Sequence, residues 1–254
     1  PPSTALQIAL TSAGLHALDV APDIVDGFSA EFLAGMSSDS SRARRLGDLG
    51  ANDPACWRWG GRQEDVPHLL VMLYAEHGAL DAWLQTVLAQ CAAGFEQMAR
   101  LSTSDMDGFE PFGFRDGISQ PRIDWECERA AHDQEQFEYT NLSCLGEYLL
   151  GYPNEYGAYT DRPLLDRARD PAGRLPRAED AADKADLGRN GSYLVIRQLQ
   201  QDVEGFWRFI DSQAQGDAAL RKSLAEAMVG RTAEGGPLVA PAGDGRLTGF
   251  TYDG

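Results

Sequence analysis

An α+β fold, with antiparallel sheets covered by helices, is what this sequence predicts, and three observations predict it. Short runs with alternating apolar residues sit beside segments whose apolar residues recur every three to four positions, so strands and helices share the chain. The order strand, helix, strand, helix occurs twice, separated near residues 118–144. No stretch of sequence repeats at a fixed period, so the two halves are alike only in the order of their elements.

The elements follow from local pattern. Residues 5–11 (ALQIALT) alternate Leu6, Ile8 and Leu10 with smaller or polar residues, a strand with one buried face. A short helix, SAGLHAL, is expected next. In SAEFLAGM, Ser29 is a plausible cap ahead of Phe32, Leu33 and Met36. Residues 37–55 are polar and turn-rich and read as loop. Residues 69–75 (LLVMLYA) form a second strand. A helix follows, with Leu80, Trp83, Leu84, Val87 and Leu88 on one face. Residues 95–101 are expected to add a further short strand.

The second half opens on a strand at 146–152 (GEYLLGY) and continues through a charged segment, 158–189, read as a surface insertion because it is long and poor in apolar residues. Residues 192–199 (SYLVIRQL) predict a strand. One helix then carries Val203, Phe206, Trp207 and Ile210, and another carries Leu220, Leu224 and Met228. Strand–helix–strand–helix order of this kind fits a pair of ferredoxin-like units. The expected division is a first domain at 1–120, a linker at 121–145 and a second domain at 146–254.

Composition narrows the function classes. The 254 residues are 43% hydrophobic and 24% charged, as in a folded soluble domain. No apolar run approaches the roughly 18 residues that cross a bilayer. The net charge of −17, from 39 acids against 22 bases, repels nucleic acid and anionic lipid. Cys56, Cys91, Cys127 and Cys144 have no metal-ligand spacing and are expected to be reduced and mostly buried. No basic start followed by an apolar stretch marks a secretory signal. A cytoplasmic protein is expected, with secretion left open because the natural start is expected upstream of Pro1.

The stretch with chemical content is EPFGFRDGISQP, residues 110–121. Asp-Gly is ordinary turn chemistry, so Asp116 has a plain structural reading. Its flanks suggest another. Phe112 and Phe114 make the surroundings apolar, and a carboxylate stripped of water there gains proton affinity and becomes a candidate proton shuttle. Gly113 and Gly117 let the main chain come close to a flat ligand. Ile118 and Ser119 offer one apolar contact and one hydroxyl before Pro121 redirects the chain.

FGFRDGISQP, residues 112–121, closely resembles the signature loop of the dye-decolourising peroxidases, haem enzymes built from two ferredoxin-like domains. The resemblance extends along most of the chain, in the expected order. It includes IALTSAGLHAL (8–18), FLAGM with LGD (32–36, 46–48), GEYLLGYPNEYG (146–157), NGSYLVIRQLQQDVEGFW (190–207) and MVGRTAEGGPL (228–238). It implies a haem b pocket in the second domain beside the inter-domain loop. Asp116 would be the distal acid, taking a proton from hydrogen peroxide and returning it to the outer oxygen. Gly117, Ile118, Ser119 and Phe114 would lie against the porphyrin, and Arg231 near the pocket. The partners implied are hydrogen peroxide and aromatic reductants oxidised one electron at a time, in a monomer or a homo-oligomer.

The same resemblance calls for a proximal histidine on the iron and a distal arginine, both expected beyond Gly254. None of His16, His68, His77 and His132 is assigned to the iron, because no pair has metal-site spacing. Trp57, Trp59 and Trp125 lie in loops and are the candidate electron relays, whereas Trp83 and Trp207 fall on apolar helix faces. Two further readings stand beside the peroxidase: a haem-handling protein on the same fold, and a haem-free ferredoxin-like module with Asp116 as a turn residue.

Overall fold

A computed structural model describes residues 2–103, 106, 108–117, 121–128 and 142–238. The expectations for Ile118, Ser119 and His132 lie outside these residues. Contacts group the chain into two compact units, one of Pro1–Arg100 with Leu145–Leu194, the other of Leu101–Cys144 with Val195–Gly254. Three two-stranded sheets occur among the described residues. No helix there is long and apolar enough to cross a membrane.

The first unit opens with β1 (Thr4–Leu10), paired antiparallel with β2 (Leu69–Ala75), from Thr4 opposite Ala75 to Leu10 opposite Leu69. The alternating Leu6, Ile8 and Leu10 face Leu73, Val71 and Leu69 directly, but Leu6 and Ile8 are 43% and 61% exposed, so the face expected to be buried is largely open. Helix α1 (Ser12–Ala17) starts at Thr11, whose hydroxyl accepts the Gly14 N–H and donates to the Pro67 carbonyl. Gly14 is required there, since a β-carbon would come within 2.0 Å of the His68 carbonyl oxygen. Then come α2 (Pro22–Val25) and α3 (Ala30–Ala34), the latter capped by Ser29 as expected. After β2, α5 (Leu80–Cys91) follows the anticipated apolar stripe, and its Trp83 indole N–H donates to the Ala5 carbonyl at 3.3 Å.

Residues 37–55 correct the sequence reading. They hold a helix, α4 (Ser40–Leu46), and two 3₁₀ turns at Gly50–Asn52 and Pro54–Cys56. The signals were present: Asp39 caps the first turn through the Ser41 N–H, and Gly47 ends the helix at φ +78°. Low apolar content hid a helix defined by its ends.

Two of the strands expected in this unit are also corrected. Residues 95–101 carry no regular structure, and 146–152 form a 3₁₀ turn, Leu145–Glu147, and further turns. Residues 158–189 are not simply a solvated insertion. They contain β5 (Leu164–Asp166) paired antiparallel with β6 (Lys184–Asp186), and beside these strands lies a charge cluster in which Arg162 and Asp186 are buried. Arg162, 6% exposed, donates from Nε to Asp186 at 2.7 Å and from both terminal nitrogens to Asp180 at 2.6 and 3.2 Å. Gly151 and Gly188 make room for it, since a β-carbon on Gly151 would meet Arg189 and one on Gly188 would meet Arg162, each at 2.7 Å.

Tyr193 ties this half of the unit to the first. Its ring packs among Phe28 and Phe32, with centroids 6.3 and 5.7 Å away. Its hydroxyl accepts the Ser29 N–H at 2.8 Å and donates to the Asp161 carbonyl at 2.7 Å. Tyr193→Phe keeps the ring and removes both hydrogen bonds, and is expected to cost about 1–3 kcal/mol. Urea unfolding measures it. A midpoint equal to wild type would remove the hydroxyl from the account.

The second unit contains β3 (Arg122–Asp124) and β4 (Leu142–Cys144), which pair in parallel, a departure from the all-antiparallel expectation. Helices α6 (Val203–Ala214) and α7 (Ala218–Val229) form its framework, capped by Asp202 and Asp217 and ended by Gln215 and Gly230 in left-handed conformations. Ile210 on α6 and Ala225 on α7 are buried together with Phe114, and Phe112, Phe206, Trp207, Leu224 and Ala233 pack around them. The expected strand at 192–199 belongs to none of the three sheets, and Val195 within it is 75% exposed. Of the four cysteines, only Cys144 is buried.

Candidate active site

Asp116 stands on a loop that is hydrogen-bonded through its own main chain. Phe109 and Arg115 form an antiparallel bridge. The Glu110 N–H donates to the Phe114 carbonyl at 2.7 Å, and the Gly113 N–H to the Glu110 carbonyl at 2.8 Å. The Asp116 N–H donates to the Gly108 carbonyl at 3.0 Å, closing the loop on itself. Gly113 and Gly117 have φ of +91° and +71°, where a side chain is strained, so the two glycines are needed for the path of the chain.

The loop is anchored from below. Phe114, 6% exposed, inserts between Ile210 and Ala225, and Phe112 meets Phe206 edge to face at 5.1 Å. From the other side, the Arg115 N–H donates to the Ala233 carbonyl at 3.0 Å. The Arg115 guanidinium remains exposed, 5.6 Å from the centroid of the Phe109 ring.

This arrangement overturns one expectation and leaves another standing as a proposal. The phenylalanines do not strip water from Asp116, because they point into the helical core while Asp116 is exposed. Phe114, expected against a cofactor, has almost all of its surface occupied in that core. Gly117 is exposed beside Asp116. Arg231 is half-buried, and its guanidinium closes its own turn by donating to the Gly235 carbonyl at 2.9 Å. A hollow lined by Asp211, Ala214, Asp217 and Arg221 lies at the α6–α7 turn and includes no residue of the Asp116 loop.

The outer side of the loop has the form a flat ligand needs. Apart from the adjoining residues of the chain, no heavy atom of the described residues lies within 4 Å of where a β-carbon would sit on Gly113 or Gly117, and Asp116 is exposed between them. Open main chain at two glycines with a carboxylate between them is compatible with a flat ligand lying against the loop. For the iron itself, no group of three or more His, Cys, Asp or Glu side chains with metal-site geometry occurs among the described residues. His16, His68 and His77 are all exposed. Among the candidate relays, Trp57 and Trp59 are half-buried and Trp125 is 62% exposed.

No family model matches the chain. It is 30% identical over 221 residues to the dye-decolorizing peroxidase msp1 of Mycetinis scorodonius, covering 84% of this chain and 36% of that protein. Peroxidase 2 of the same organism is 28% identical over 251 residues, covering 96% of this chain and 41% of its own length. The likeness is to the dye-decolourising peroxidases. Solved structures of that kind share the fold: an ancestral D-type dye-decolorizing peroxidase superposes with a TM-score of 0.60 at 23% identity, covering 94% of this chain and 47% of that one. The dye-decolorizing peroxidase of Auricularia auricula-judae gives 0.60 at 22% identity, with 96% and 47% covered. The fold is therefore the ferredoxin-like α+β fold of these peroxidases, and the chain spans less than half the length of the peroxidases it matches.

Proposed function

We propose that this chain carries the distal half-site of a haem-dependent peroxidase that uses hydrogen peroxide to oxidise aromatic reductants one electron at a time. The observation that carries the proposal is Asp116 itself: an exposed carboxylate on a glycine-hinged loop held by main-chain hydrogen bonds, in a chain whose curated relatives are dye-decolourising peroxidases. Haem b, when bound, supplies the redox chemistry for splitting peroxide. Gly117, with Ile118 and Ser119 by resemblance, would lie against its face. Arg231 would stand near the pocket by the same resemblance.

The work of the protein is then positional and protonic. With haem bound, an Oδ atom of Asp116 would accept one proton of hydrogen peroxide and return it to the oxygen that departs, so that this oxygen leaves as water and the other passes to the haem. The main-chain hydrogen bonds of the loop support this reading by fixing the backbone from which the Asp116 side chain projects. Ligand covering the open side of the loop would supply the exclusion of water that the phenylalanines do not.

The test is a haem titration of the purified full-length protein, with whatever residues follow Gly254, followed by absorbance and then by peroxide-dependent oxidation of an anthraquinone dye. A Soret band at one equivalent and dye oxidation that requires peroxide are expected. No Soret band would leave a haem-free module. A Soret band without dye oxidation would favour haem handling.

A further inference from the structure

We infer that Glu226 is a positioning residue for Asp116, acting through the main chain of Ala233; the inference rests on Asp116 being the proton carrier. Glu226 lies in the last turn of α7, where the helix dipole disfavours an acid. Its side chain is only 13% exposed, with the Lys222 ammonium 3.7 Å away. An acid held there against the dipole has a local task. Its Oε1 accepts the Ala233 N–H at 3.4 Å, and its main-chain carbonyl accepts the Gly230 N–H at 2.7 Å. Both bonds direct the chain as it leaves the helix.

Ala233 then passes this placement on. Its carbonyl accepts the N–H of Arg115, the residue that precedes Asp116, at 3.0 Å. Its methyl group packs on the Phe114 cluster. Around it the turn is closed by the Thr232 N–H on the Gly236 carbonyl at 2.8 Å and by Arg231 on the Gly235 carbonyl. One residue therefore joins helix to loop, its N–H bound to α7 and its C=O bound to the segment that carries the carboxylate. The signal in the sequence was slight, since an acid seven residues before a small residue has no recognisable pattern.

The experiment is residue-resolved amide hydrogen exchange on the 254-residue chain, comparing wild type, Glu226→Gln and Glu226→Ala. Glutamine keeps the Oε1 acceptor and loses the charge, whereas alanine loses both. In Glu226→Ala the amides of Ala233 and Arg115 are expected to exchange about tenfold faster, with residues 206–210 of α6 unchanged. In Glu226→Gln both amides stay close to wild type. Unchanged exchange at Arg115 in the alanine variant overturns the inference, as does a glutamine variant as fast as alanine, which would assign the effect to charge. Exchange is read without haem, so this outcome is separate from failure of the peroxidase proposal.

Discussion

Asp116→Asn is expected to lower peroxide-dependent turnover of the haem-loaded protein by about 10²–10⁴-fold, the range that a positioned acid–base group contributes. The side-chain amide has the shape of the carboxyl but does not take up a proton near neutral pH. The loop itself should be unaffected. Its geometry comes from Asp116 N–H on Gly108, Arg115 N–H on Ala233, and Phe114 in the core, none of which involves the carboxyl group. The Soret band should therefore persist while stopped-flow mixing with peroxide shows the slowed reaction. Turnover near the wild-type value would remove Asp116 from the proton path and return it to its plain role in a turn.

The largest stability effect is expected at Arg162. Arg162→Leu leaves Asp186, 1% exposed, with its charge buried and no cation against it. Breaking a buried pair in this way costs about 3–5 kcal/mol. One oxygen of Asp186, Oδ1, already lacks a hydrogen-bond partner among the described residues, which sharpens the dependence on Arg162. Replacing both partners, as in Arg162→Met with Asp186→Leu, should recover most of the loss, because it removes the stranded charge. Urea unfolding at pH 7 measures all three proteins. A loss below about 1 kcal/mol for the single variant would show that the site relaxes to admit water.

The same cluster has a pH signature. Hydrogen bonds from Arg162 hold the Asp180 carboxyl below its usual range. A lowered folded-state value means that Asp180 contributes its stability fully above the ordinary carboxylate pKa, near pH 4, and loses it as the pH falls through the folded-state value. The gap between wild type and Arg162→Leu should narrow on that acid side.

How much of this was legible in the sequence differed with the kind of signal. β1, β2, α5, α6 and α7 were read from apolar spacing, and the Ser29 cap from residue type; each is a property of neighbours along the chain. The loop around Asp116 was legible as a motif because its glycines announce a backbone path. What surrounds Asp116 was not. Phe112 and Phe114 lie four and two residues before it, yet their rings are claimed by Phe206, Ile210 and Ala225, about ninety residues or more downstream.

Strands failed for a related reason. Alternation in residues 192–199 states which side chains share a face and says nothing of a partner strand, and a strand exists only with its ladder. The charge cluster of Arg162, Asp180 and Asp186 likewise reads as solvated surface until the chain folds it inward. The sequence by itself determined the periodic helices, the two apolar runs that become β1 and β2, and the presence of a glycine-hinged acid, because these depend on residues within a few positions of one another. Only the tertiary structure decided which charges are buried, where the phenylalanines point and how Glu226 reaches the Asp116 loop, because those contacts join residues far apart in the chain, whose meeting no local pattern encodes.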